Sequence, residues 1–343
     1  MTKHRTAALA ITFAFAFGTL GLSCSSNDSG TTDAATDAAN ETTAAPATTG
    51  APAVDLPDVV VTYSVLASVV SELVAGVADV VTVIPDGQDP HEFEPSAKDL
   101  ETINNAVFVV ANGLEFEEGL ETPLERLHDD GGPVFFVGEH ITVREMSEAD
   151  DHSHGDETSQ KEDDAKAAED DHAHDHGGVD PHLWLSPSAM LEMLPALAAE
   201  LATALDTNLD AALAEVTAEL TALDKDIAAL FAKIDTCELV TGHDELGYFA
   251  DRYGCEMIGA IIPSSTTTSE ASAGELAELK AVIAEHGATV VFTSLGTPQD
   301  VAAQVAKETG ATLVELSTHV MGGAGSYAEF VRTFATQIAD ALA

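Results

Sequence analysis

The chain has 343 residues, of which 45% are apolar and only 5% aromatic, and its 13 Lys and Arg face 59 Asp and Glu for a formal net charge of −46. A surplus of that size repels phosphate backbones and attracts cations, which excludes nucleic acid as a partner. The length accommodates two lobes of ordinary size, and an Ala-, Val- and Leu-rich composition poor in aromatics suits helices packed on parallel sheet.

Residues 1–23 carry Lys3 and Arg5 ahead of the apolar run "AALAITFAFAFGTLGL". The run is too short and wrongly flanked for a membrane span, so it reads as an export signal. "LGLSC" resembles the lipobox of bacterial lipoproteins, with Cys24 as the lipidated residue of an outward-facing, membrane-anchored protein; a plain secretory signal is the other reading. Residues 24–56 form a Ser/Thr/Ala/Asp/Pro tract without apolar periodicity, which predicts a disordered tether. Cys237 and Cys255 remain. Each precedes a predicted strand in an exported chain, which favours a disulfide over two buried thiols.

From Val59 the pattern alternates. "VVVTYSVL", "VVTVI", "VFVVAN" and "PVFFV" read as strands, with "ASVVSELVAG", "SAKDLETINNA" and "FEEGLETPLERL" between them as helices. Continuous β-branched runs between helices mark strands covered on both faces. This gives a first α/β lobe over 57–207, interrupted at 148–178 by an acidic His-rich insertion. Between Glu148 and Asp175 the insertion holds twelve acidic residues, two Lys and the pairs His152/His154 and His172/His174, with His176 close behind. No core comes from such a stretch.

"SAMLEMLPALAAELATAL" predicts one long helix, and an unbroken pattern over 208–234 predicts another that links the lobes. A second α/β series over 235–343 follows, with strands "ELVTG", "EMIGAII", "TVVFTS" and "TLVEL". Ser272 with Glu275 predicts a capping box, and Gly287 and Gly310 predict helix stops. The fold class is α/β, with two doubly wound parallel-sheet lobes.

His91 lies in the loop after "VVTVI", His182 in the loop after the acidic insertion, and His243 at the end of a strand. Ligands of open α/β sheets bind beyond the carboxyl ends of strands, and neutral imidazole is the commonest metal ligand. Asp89, Asp180 and Asp244 stand within two residues of these histidines, as partners for the far ring nitrogens or as plain surface carboxylates.

"DPHEFEPSAKDL", "DPHLWLSP" and "TGHDELGYFADRYG", in this order, resemble the solute-binding lipoproteins of bacterial zinc and manganese ABC importers, the TroA/ZnuA-like cluster. The resemblance runs from about Val59 to the end. It implies one metal held by His91, His182 and His243 in the cleft between two lobes joined by a long rigid helix. It also implies a monomer that delivers its ion to a membrane permease and is not an enzyme. Such proteins commonly add an Asp shortly after the last strand. Ser317 occupies the corresponding place, so His319 is the expected substitute, with Glu315 or a water still open. Imidazoles point to Zn2+, and Mn2+ is the alternative. The insertion resembles that of zinc-type members, which implies secondary capture by His152, His154, His172, His174 and His176; a solvated charge run is the plainer reading. Protonation of imidazole predicts weaker binding below about pH 6.5. Competing classes are a metal-dependent adhesin or zinc chaperone, and a zinc hydrolase with Asp244 or Glu245 as base.

Overall fold

The computed structural model describes residues 56–146 and 178–343. The predicted leader, Cys24, the tether as far as residue 55, and His152, His154, His172, His174 and His176 lie outside the described residues. Among the described residues no helix is long and apolar enough to cross a membrane.

The first lobe alternates as its hydrophobic runs dictate: β1 (Asp58–Val61), α1 (Ser64–Leu73), β2 (Asp79–Thr82), α2 (Ala97–Asn105), β3 (Phe108–Ala111), α3 (Glu121–Asp129) and β4 (Val134–Phe136). All pairings are parallel, in the order β2-β1-β3-β4. Val59, Val60, Val61, Val109 and Val110 have no exposed surface, because helices cover both faces. Ser96 caps α2 with a full capping box: its hydroxyl accepts from Asp99 N, and the Asp99 carboxylate accepts from Ser96 N at 2.8 Å. That cap fixes the end of the loop carrying His91.

Two long helices follow, α4 (Pro187–Ala204) and α5 (Asp210–Phe231), packed on each other. The second ends three residues before the expected limit. The second lobe contains β5 (Glu238–His243), α6 (Gly247–Tyr253), β6 (Glu256–Ile262), α7 (Ala273–His286), β7 (Val290–Thr293), α8 (Gln299–Thr309), β8 (Thr312–Glu315) and α9 (Tyr327–Leu342). β5 ladders with β6 and β7 with β8, both parallel, and β7 runs beside β5. The second lobe thus holds two two-stranded ladders lying side by side, which approach the order of the first lobe without forming one continuous hydrogen-bonded sheet. Ser272 and Glu275 form their capping box, and Gly287 and Gly310 end their helices in the left-handed conformation.

α9 leaves the second lobe and packs on α1 and α5. Phe334 on α9 meets Phe249 on α6 edge-on at 4.9 Å, and Phe249 meets Phe231 on α5 at 5.0 Å. One apolar core consequently runs from β1 through α5 to α9. A disulfide joins Cys237 and Cys255, each one residue ahead of its strand.

Candidate metal centre

Segments at the carboxyl ends of strands from both lobes supply three of the four histidines of the site. His91 follows β2, His243 is the last residue of β5 and His319 follows β8. His182 precedes the short 3-10 turn Leu183–Leu185. One ligand atom from each of these four buried histidines lies within 4.8 Å of the others. His182 Nε2 is 3.4 Å from His91 Nε2 and 3.1 Å from His243 Nε2. Four nitrogens at zinc-bond length around a tetrahedral ion are separated by about 3.3 Å, so these contacts have the dimensions of a ligand shell. Ser317 and Glu315 are exposed and stand apart, while His319 is 3% exposed.

Burial first, and then the neighbouring histidines, push the imidazoles of His182, His243 and His319 well below their usual pKa. All three are neutral at pH 7, the form that binds metal. His91 Nδ1, His243 Nδ1, His319 Nε2 and Glu245 Oε2 are buried without a hydrogen-bond partner. Unsatisfied polar atoms are costly in a protein interior; a divalent cation among the four rings offsets that cost for His319 Nε2 and Glu245 Oε2, whereas the Nδ1 atoms of His91 and His243 are the far nitrogens of rings whose Nε2 faces His182.

The outer partners divide unevenly among the expected aspartates. Asp180 Oδ1 accepts from both the backbone N and the ring Nδ1 of His182, each at 2.9 Å, which fixes Nε2 as the free lone pair. Asp89 instead accepts from the His91 backbone N at 3.1 Å and from the Thr267 hydroxyl of the opposite lobe at 2.8 Å. Its reach is spent on the turn, and the His91 ring faces Glu118, with Nδ1 3.7 Å from Oε1. Asp244 Oδ1 is buried without a partner and does not meet the His243 ring.

Three further residues complete the surroundings: Glu245, which the sequence offered only as the base of a hydrolase, and Glu118 and Arg144, which it did not single out. Glu245 is 1% exposed; its Oε1 accepts from Ser294 Oγ at 2.5 Å, and its Oε2 lies 3.8 Å from His243 Nε2 and 3.7 Å from His319 Nδ1. Burial pushes its carboxyl up to about 8, against the hydroxyls of Ser294 and Thr318. Glu118 is the second. Arg144 is the third: its Nη1 lies 3.4 Å from Asp180 Oδ2 and its Nε donates to Asp251 Oδ2 on α6 at 2.8 Å, so it spans the two lobes behind His182. Gly247 makes room for this contact, since a Cβ there would overlap Arg144 and Asp180. The adjacency of "HDE" and the scarcity of basic residues were the available signals for Glu245 and Arg144.

An aromatic wall backs the site. Trp184, the single tryptophan of the chain, is fully buried 5.4 Å from the rings of both His182 and His319 and 4.4 Å from Phe116. Its Nε1 donates to Thr318 O at 2.8 Å, and its carbonyl accepts from Tyr327 Oη at 2.8 Å.

The family model ZnuA, zinc-uptake complex component A periplasmic, matches residues 59–341. The high-affinity zinc uptake system protein ZnuA of Bacillus subtilis (strain 168) is 29% identical over 263 residues, spanning 76% of this chain and 77% of that protein. In fold the chain is similar to the periplasmic zinc-binding protein TroA from Treponema pallidum, with a TM-score of 0.66 at 23% identity over 84% of this chain and 99% of the other. It is also similar to a manganese-bound periplasmic metal-binding protein from Candidatus Liberibacter asiaticus, with a TM-score of 0.65 at 20% identity over 84% of this chain and 100% of that one. With almost all of its described length covered by the family model, the chain belongs to the ZnuA family of periplasmic zinc-uptake components.

Proposed function

We propose that this chain captures Zn2+ outside the cytoplasm and hands it to the membrane permease of an ABC importer, with Mn2+ as the less favoured cargo. The convergence of His91, His182, His243 and His319 carries this reading. An all-imidazole set suits zinc, whereas manganese favours carboxylate oxygen. Four protein nitrogens leave a tetrahedral ion no open position for water, which suits carriage and not hydrolysis. The zinc-uptake name of the Bacillus subtilis relative supports the same cargo.

The finer organisation is proposed from the sequence. A monomer is held at the membrane surface through lipidated Cys24 and its tether. The insertion histidines His152, His154, His172, His174 and His176 collect zinc weakly near the main site. The lobes over 57–207 and 235–343 are joined through 208–234. Metal analysis of the purified protein, with chelator-competition titrations of the wild type and His319→Ala, tests the proposal. One tightly held zinc per chain, weakened in the variant, is expected. Tighter binding of Mn2+ than Zn2+, or an unaltered variant, overturns the assignment.

A further inference from the structure

A cavity of about 510 Å3 opens beside the four imidazoles, and His91 is the one histidine of the cluster that lines it. Three carboxylates line it too: Glu115 after β3, Glu118 in the 3-10 turn Glu118–Leu120, and Glu121 at the start of α3. The opposite wall comes from the second lobe, where the Thr266 hydroxyl donates to Glu118 Oε1. The third wall is Gly178, Val179 and Pro181, where the chain returns from the acidic His-rich insertion.

A cluster of carboxylates alone is common on so acidic a chain. His91 makes this one different. Its side chain is 1% exposed, its Nε2 faces His182, and its Nδ1 points toward Glu118 from 3.7 Å without a hydrogen-bond partner. One imidazole thus forms the partition between an oxygen-lined cavity and a nitrogen-lined centre. Gly113, Leu114 and Glu115 have φ of 73°, 56° and 61°. Two consecutive non-glycine residues in the left-handed region cost about 1–2 kcal/mol each, and this strained turn carries Glu115 to the cavity.

We infer that the cavity is a carboxylate staging site, in which Glu115, Glu118 and Glu121 hold a partly hydrated divalent cation before it passes His91 to the four imidazoles. The inference rests on the proposed capture of metal by those imidazoles and adds the route by which the ion arrives. Oxygen ligands bind divalent ions while leaving several waters in place. Zinc held this way loses little hydration at the first step and exchanges the rest for imidazole nitrogen at the second, the donor it favours. Negative charge at the mouth of a cleft also raises the local cation concentration and the capture rate.

The test uses the full-length chain and two readouts. Trp184 fluorescence in stopped flow follows zinc arrival at the four imidazoles, and electron paramagnetic resonance counts Mn2+ taken up by zinc-saturated protein. The isosteric triple variant Glu115→Gln, Glu118→Gln, Glu121→Gln should bind one Mn2+ fewer per chain and capture zinc about tenfold more slowly. A charge-matched control, Glu200→Gln, Glu278→Gln, Glu285→Gln, should keep the wild-type Mn2+ count and most of the rate. The single variant Glu118→Gln, which disturbs the fold least, should show the same defects in smaller degree. An unchanged Mn2+ count in the triple variant, or equal slowing in the control, overturns the staging site. His243→Ala separates this inference from the reading beneath it: that variant should lose tight zinc yet keep the extra Mn2+, and retention of tight zinc would defeat the imidazole centre itself.

Discussion

Replacing Asp180 by Asn changes one atom of a fully buried side chain and separates the charge of the carboxylate from its shape. In the native protein Asp180 Oδ1 accepts two N–H bonds from His182, and Oδ2 faces the Arg144 guanidinium. An Asn amide keeps one oxygen. If that oxygen stays on His182, the new NH2 meets a guanidinium that only donates; if it turns to Arg144, the NH2 meets two N–H groups of His182. Either way a buried donor is left opposed, and the His182 ring loses its anchor. Removing the outer partner of a metal-binding imidazole typically costs about 10–100-fold in affinity, which is about 1.4–2.7 kcal/mol. A hydrogen bond to a charged group, about 1.5–3 kcal/mol, gives a consistent independent figure. Zinc competition against a chelator at pH 7.5 measures the loss, with Asp251→Asn as control. Asp251 is 66% exposed and touches the site only through Arg144, so its exposed pair contributes about 0.2–1 kcal/mol. If Asp180→Asn binds zinc within twofold of wild type, the outer-partner reasoning fails.

His243→Ala should weaken zinc by orders of magnitude while His128→Ala, on the exposed surface of α3, should not; equal effects in a chelator titration would contradict the cleft site. Deletion of residues 148–176 should leave one tight zinc per chain by metal analysis, and loss of all zinc would move the main site into the insertion. Reduction of the Cys237–Cys255 bond, which closes a loop of sequence separation 18, should lower stability by about 3 kcal/mol on the chain-entropy account, read as a shift of thermal unfolding with and without reductant. The pH dependence should follow carboxyls rather than imidazoles. Burial pushes Asp180 up to about 7 and Glu245 up to about 8, while His182, His243 and His319 are already neutral. An arriving cation favours the deprotonated acids, so apparent zinc affinity should rise with pH through 7–8 and level off above it. Calorimetry in buffers of different ionisation enthalpy should detect proton release at pH 7, and its absence would refute the linkage. This window lies above the 6.5 that free imidazole suggests.

The βα alternation was legible because β-branched runs and amphipathic stretches obey different periods, and the loop histidines were legible because isolated histidines stand out. Their outer partners were much less so. Asp180 and Asp89 occupy the same place in two "DPH" tripeptides, yet only Asp180 meets its histidine ring, since Asp89 is drawn to Thr267 across the cleft. Glu118 and Glu245 stood among 59 acidic residues, and Glu245 drew notice only as a hydrolase's base; its burial, and the approach of the 37% exposed Glu118 side chain to His91 Nδ1, exist only in three dimensions. The amphipathic pattern of α9 announces a packed helix but carries no address, so its return to α1 had no signal in the chain.

The indole of Trp184 bears on how the ion leaves. Trp184 stands two residues after His182, and the carbonyl it binds belongs to Thr318, immediately before His319. A displacement that separates these loops must therefore stretch the Trp184–Thr318 bond as it parts His182 from His319. That bond, about 0.5–1.5 kcal/mol net, adds to the ion's own bridging in opposing the separation of His182 from His319.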